Sequence, residues 1–281
     1  MPKLARWRTI TALGLAALGF AVIGYPALAN WLNARAQANQ LASWARAVER
    51  ADGGELIEQL AAAERYNADL HTGIKELKGS DQDSYYSQLR IPNTEVMASV
   101  AIPDIGVFLP VYHGTNAEVL DIGVGHLRGT SLPVGGPNTH AALTAHSGIE
   151  SNRLFTDLNQ VEIGGVIEVN TAGRRLVYEV DQITIITADS LTEFDYQPGE
   201  DLLTLVTCTP IGINSHRLLV RSHRVSLGQM PQQGSAARSE AYSPFPLRVL
   251  LCAGFLTLAV LGIVIVGIRD GERESQVETG T

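Results

Sequence analysis

Two charge-free apolar stretches, one near each end, limit what this chain can become. Ile10–Leu28 and Val249–Ile268 run for 19 and 20 residues without an Asp, Glu, Lys or Arg. As helix at 1.5 Å per residue, each covers about 30 Å, the thickness of a hydrocarbon core. Lys3, Arg6 and Arg8 precede the first stretch, and basic flanks stay on the cytoplasmic side. The middle of the chain then lies outside the cell, and the second stretch returns it to a cytoplasmic tail from Arg269. The first 29 residues carry +3 and the last 34 carry −1, so the middle holds −10 of the net −8. Ala27-Leu28-Ala29 is a small-x-small cleavage pattern, and Pro26 could end an apolar helix just before it, as in a signal peptide. The stretch is longer than the usual h-region of roughly 7–15 residues, which favours a retained anchor.

The 281 residues suit one core plus appendages, and 45% hydrophobic against 18% charged residues excludes a disordered chain. The acidic balance argues against a nucleic-acid partner, which needs a basic stripe. Two cysteines cannot build a disulfide framework.

Residues 30–78 read as helix, rich in Ala, Glu, Arg and Leu, with Leu56, Leu60, Ala63 and Leu70 at helical spacing. Gly53-Gly54 should split this region in two. From about Met97 the texture becomes β-branched runs between turn signals. Strands are expected at Val100–Ile102, Gly106–Val111, Ala141–Ala145, Val166–Asn170, Leu176–Ile186, Leu202–Cys208 and Leu218–Val225, with a short helix at Asn152–Leu158. That many strands in so short a stretch imply a mainly β fold, a closed barrel or a sandwich. Leu202–Cys208 is apolar on both faces of its period-2 pattern, which fits an interior strand. Residues 226–247 read as a polar linker.

Cys252 lies within the second apolar stretch, where a thiol is small apolar filler. That leaves Cys208 as a lone thiol in the external part, either a buried spectator or a nucleophile. It ends a strand just before Thr209-Pro210, a position that opens onto a cleft. A thiol needs a base or nearby positive charge to attack an amide. Arg217 begins the next strand after a Pro/Gly/Asn-rich loop, so a hairpin would bring it alongside, where its donors could hold a developing oxyanion. Three histidines compete as base on spacing: His146 at a strand exit, His140 six residues earlier on the same face, and His216 beside Arg217. Cys208 and these histidines contain no short-range ligand pair for zinc, and no metal or cofactor is expected.

The segment Thr204-Leu-Val-Thr-Cys-Thr-Pro-Ile-Gly-Ile-Asn-Ser-His-Arg-Leu-Leu-Val-Arg221 resembles the active-site hairpin of sortases, specifically the pilin-polymerising class C type. Leu109-Pro-Val-Tyr-His-Gly-Thr115, the run from Gly123 to Gly136 and Thr139-His-Ala-Ala-Leu-Thr-Ala-His146 look like preceding strands of the same family, and Tyr66-Asn67 is similar to its membrane-proximal helix. The resemblance implies an eight-stranded β-barrel with membrane-proximal helices and, for class C, a transmembrane helix at each end. It also implies Cys208 as nucleophile, His146 as acid/base and Arg217 as transition-state stabiliser, with Thr207, His140 and Asn214 as substrate-binding or supporting residues. Such enzymes of the Gram-positive cell surface cut an LPXTG-type signal between Thr and Gly through a thioester. Class C members pass the acyl group to a pilin lysine. A peptidoglycan stem-peptide acceptor, or a silent surface scaffold, are the alternatives.

Ala145, Ile211 and Ser222 stand where Gly, Tyr and Gly are frequent in the family, departures that would retune the groove. Class C enzymes often plug the cleft with an Asp-Pro-aromatic lid. Residues 79–90 lack that motif, leaving Asp83, Tyr85 and Tyr86 as the candidate lid. The expected division is an anchor or signal at 1–29, a helical region with the lid at 30–96, the barrel at 97–225, a linker at 226–248, a second span at 249–268 and a tail at 269–281.

Overall fold

The computed structural model describes residues 2–71, 82–188, 194–226 and 247–278. Two compact units emerge, residues 1–32 with 243–281, and residues 33–242.

In the first unit lie most of the apolar part of α1 (Pro2–Arg50) and α5 (Leu247–Glu278). Among the described residues, Ile10–Arg50 is long and apolar enough to cross a membrane, with a mean hydropathy of 1.9. Its apolar window is almost wholly exposed, unlike the core helix of a globular domain. α5 offers a shorter apolar stretch, Val249–Gly262. Within this unit Phe20 stacks on Phe255 at 4.6 Å, and a Cβ on Gly24 would sit 3.3 Å from the Cys252 Sγ. Pro26 does not end the helix, as the signal-peptide alternative would have it. A proline removes one intrahelical bond, and Ala27, Leu28 and Ala29 beyond it favour helix strongly enough to continue it.

In the second unit, α1 ends at Arg50 and α2 (Gly53–His71) begins after Asp52, whose carboxylate accepts from the Gly54 N–H at 2.9 Å. The expected split is therefore present, at Ala51-Asp52 just before the two glycines. Residues 72–78 of the expected helical region, 79–81 of the expected lid, and 227–246 of the linker lie outside the described residues. Leu60, Ala63 and Tyr66 of α2 join Trp44 of α1 in the barrel's core cluster. Asn67, almost fully buried, grips the Leu132 backbone from both sides: its Nδ2 donates to the carbonyl at 3.0 Å and its Oδ1 accepts from the N–H at 2.7 Å.

After α3 (Gln82–Tyr86) come β1 (Val96–Ile102), β2 (Val107–His113), α4 (Ala117–Ile122), β3 (Val124–His126), β4 (Thr139–Thr144), β5 (Val166–Thr171), β6 (Arg174–Thr187), β7 (Asp201–Thr209) and β8 (His216–Arg224). The strands close into a barrel in the order β1-β2-β3-β4-β7-β8-β6-β5. All neighbours are antiparallel except β2 with β3 and β4 with β7.

All seven strands expected from the residues are present. The eighth, β3, is three residues long, too short for a period to emerge from the sequence. The helix expected at Asn152–Leu158 is replaced by turns and a single 3-10 turn at Leu158–Gln160. Leu154 there has a φ of +38°, which no right-handed helix accommodates.

The alternation of β7 places the site. Leu203 and Leu205 point into the core with Ala141, Leu143 and Ala145 beside β7 on one side and Leu218 and Val220 on the other. The intervening residues therefore face outward. Outward Leu202, Thr204 and Val206 are buried as well, so β7 is covered on both faces, as its apolar run demands.

Candidate active site

The outward set of β7 ends at Cys208, a free thiol that is half-buried. Antiparallel pairing puts Arg217 directly opposite it, and His216 opposite Thr209. On the other side β4 runs parallel to β7, with Thr144 beside Val206. The register continues beyond the formal end of β4. The Ala145 N–H donates to the Val206 carbonyl at 3.2 Å, and the Ser147 Oγ donates to the Cys208 carbonyl at 2.6 Å. His146 lies between these two fixed points, so it is level with Cys208. It stands at the exit of β4, just past the last residue of the strand. Cys208 and Arg217 thus share the outer face of paired β7 and β8, with His146 at the exit of β4 beside them.

Local structure fixes each partner. Thr207, pointing the other way, donates its hydroxyl to the Ala145 carbonyl at 2.8 Å and ties the end of β4 to β7 just below the site. The Phe155 N–H donates to the His146 carbonyl at 3.1 Å. The β7–β8 loop turns through Asn214 at a φ of +58°, with its N–H on the Pro210 carbonyl at 2.9 Å. From there Asn214 supports the site through its backbone, because the Arg217 Nη1 donates to the carbonyls of Asn214 and His216, both at 3.1 Å. Among the described residues Arg217 has no ion pair, so its charge is uncommitted. At Gly148, where φ is +74°, a Cβ would clash with the Ile211 Cγ2; glycine lets the two loops flanking the site touch.

The remaining expected residues are elsewhere. His140 pairs with Leu202, six residues from Cys208 along β7, or about 20 Å of strand. It faces outward but is almost fully buried, and burial holds its imidazole below the usual histidine range. Tyr85 is not brought to Cys208 either. Its fully buried hydroxyl lies 2.8 Å from the His126 Nδ1 and accepts from the Gly114 N–H at 2.9 Å. Its ring packs among Tyr66, Tyr86, His113 and His126. Tyr86 and Asp83 are exposed beside it.

Sequence reasoning missed Ser147, because its role depends on the parallel β4–β7 register, which leaves no mark in either strand. Another cavity, of about 1250 Å³, opens at the opposite ends of β4 and β7 around Thr139 and Asp201, far from the thiol. Among the described residues no cluster of three or more His, Cys, Asp or Glu is placed to hold a metal ion.

A sortase domain model matches residues 100–225. The crystal structure of sortase C1 from Streptococcus agalactiae is similar, with 39% identity, a TM-score of 0.63, and coverage of 66% of this chain and 97% of that one. The chain belongs to the sortase family. Members of that family are cysteine transpeptidases. The sortase barrel is likewise similar to Clostridium perfringens sortase C, solved with its C-terminal cell wall sorting motif, at 34% identity and a TM-score of 0.59 over 68% of this chain and all of that one. Sortase A of Streptococcus agalactiae serotype III (strain NEM316) is 29% identical over 126 residues, 44% of this chain; the match spans about half, 51%, of that relative.

Proposed function

We propose that this sortase is a membrane-anchored cysteine transpeptidase that cuts an LPXTG-type signal between Thr and Gly and passes the acyl group to a pilin lysine. The Cys208 sulfur attacks the Thr carbonyl carbon, forming a C–S bond and an oxyanion that Arg217 holds. His146 gives a proton to the departing Gly nitrogen as the C–N bond breaks, leaving a thioester. The lysine amine then attacks the thioester, His146 takes its proton, and the C–S bond breaks to regenerate the cysteine. One peptide bond is exchanged for one isopeptide bond, with no cofactor.

The observation that carries this reading is the pairing of Cys208 with Arg217, with the residue between Ala145 and Ser147 level with them at the β4 exit. The similar Clostridium enzyme, solved with the C-terminal cell wall sorting motif, supports a peptide of that class. The resemblance of the active-site hairpin and the similarity to sortase C1 favour lysine over a stem peptide. Residues 97–225 form the catalytic barrel in this reading, held outside the cell by a retained N-terminal anchor and a second crossing at 249–268.

Incubation with a sorting-signal peptide should give an acyl-enzyme visible as a mass increase, absent in Cys208→Ala. Pilin-lysine and stem-peptide acceptors supplied together should partition toward lysine. Peptide cleavage retained in Cys208→Ala refutes the mechanism, and exclusive stem-peptide transfer refutes the acceptor.

A further inference from the structure

The outward face that ends at Cys208 continues along the barrel, through Val206 and Thr204 on β7 and Leu219 and Arg221 on β8. At the level of Thr204, four residues or about 13 Å from the sulfur, this face acquires a roof. Asp195, Tyr196 and Gln197 from the β6–β7 connection cover Thr184, Thr204 and Leu219, enclosing about 180 Å³. A thioester intermediate keeps its acyl chain while the amine half departs and an acceptor takes its place. The roofed direction therefore suits the acyl half. The opposite direction is bounded by a loop whose Ile211 and Ile213 are exposed, which suits the exchanging half.

His140 is the side chain that joins roof to floor. Its Nδ1 lies 3.0 Å from the Asp195 carbonyl, and its Nε2 lies 2.7 Å from the Thr204 Oγ1. A carbonyl can only accept, so Nδ1 carries the proton, and the neutral ring's Nε2 then accepts from the Thr204 hydroxyl. Phe194 sits edge-on with its ring centroid 6.2 Å away. The far end of the connection is tied separately, by the Gly199 N–H on the Asn138 Oδ1 at 2.7 Å and by the Thr139 N–H on the Glu200 carbonyl at 3.1 Å.

We propose that His140 is a positioning residue for the transpeptidation, latching residues 194–197 over the groove that holds the acyl half of the sorting signal. It touches no reacting atom; it sets how firmly the roof closes on the peptide. The inference rests on the proposed transpeptidase reading.

The two ring nitrogens can be tested apart. An Asn amide at position 140 can replace the Nδ1–H donor, whereas a Gln amide reaches toward Nε2 and Thr204 instead. Full-length enzyme in detergent is assayed for acyl-enzyme formation across sorting-peptide concentrations, and for amide hydrogen exchange at residues 194–197 without peptide. His140→Gln should raise KM by about fivefold, the loss of one hydrogen bond, and speed exchange by a similar factor. His140→Asn should stay within about twofold of wild type in both. Thr204→Val, a smaller change that frees the ring to turn, should fall between them. Equal KM values in His140→Gln and His140→Asn, or unchanged exchange in both His140→Gln and Thr204→Val, would overturn the latch. Failure of wild type to form any acyl-enzyme would instead sink the transpeptidase reading, while the exchange comparison would still report on the latch.

Discussion

Tyr85→Phe removes one oxygen from the wedge that fastens α3 to the barrel. The His126 Nε2 lies 2.8 Å from the Ser131 carbonyl, so it donates there and leaves Nδ1 as an acceptor, filled by the Tyr85 hydroxyl at 2.8 Å. The same oxygen accepts from the Gly114 N–H at 2.9 Å. Phenylalanine keeps the ring's packing but strands a buried acceptor and a buried donor. At about 1–3 kcal/mol for each unsatisfied group, the loss should be about 3 kcal/mol, a large share of the 5–15 kcal/mol that holds a typical domain together. For a domain of this size that corresponds to a fall in Tm of about 6–12 °C. Denaturant unfolding of the full chain in detergent, followed by tryptophan fluorescence, reports it, since Trp44 is buried in the same core. Tyr86→Phe is the control, because Tyr86 is 43% exposed and its change should cost under about 0.5 kcal/mol. If the two variants lose equal stability, the bridging role assigned to the Tyr85 hydroxyl is wrong.

Burial draws the His126 imidazole down to about 4, below the ~6.5 of an exposed histidine. Between those values the unfolded chain binds more protons, so stability is complete above about pH 6.5 and falls by about 3 kcal/mol toward pH 4. His113 and His140 are also held low by burial and add to the loss, whereas buried Asp201, pushed upward, opposes it at the acid end. Flat unfolding midpoints between about pH 7 and pH 5 would refute this assignment. Arg217→Lys keeps the charge but loses the planar fork held by the Asn214 and His216 carbonyls. Acyl-enzyme formation should slow by about 10²–10³-fold with an unchanged melting temperature, and a loss under about tenfold contradicts an oxyanion role.

The local sequence carried much of this molecule. Apolar runs at both ends, the split beside Gly53-Gly54 and the periods of every strand except β3 were legible because each is written in neighbouring residues. So was the closeness of Cys208 and Arg217, because a short hairpin leaves few registers for residues nine apart. The continuation of the helix through Pro26 was not, since one breaker does not outweigh strong helix formers on its far side. Three residues of β3 were too few to show a period, and nothing near Tyr85 names its hydrogen-bond partner His126, 41 residues away.

On spacing alone His146 stood among three histidines, and what brings the exit of β4 level with the thiol is the parallel pairing of β4 with β7. Parallel strands are joined by a long crossover, here from Thr144 to Asp201, and no turn in the chain fixes their register. That register follows from packing inside the closed barrel, where Leu143 must meet Leu205 and Thr207 must reach the Ala145 carbonyl. The residues supplied the chemistry, and closure of the sheet decided which of them stand together.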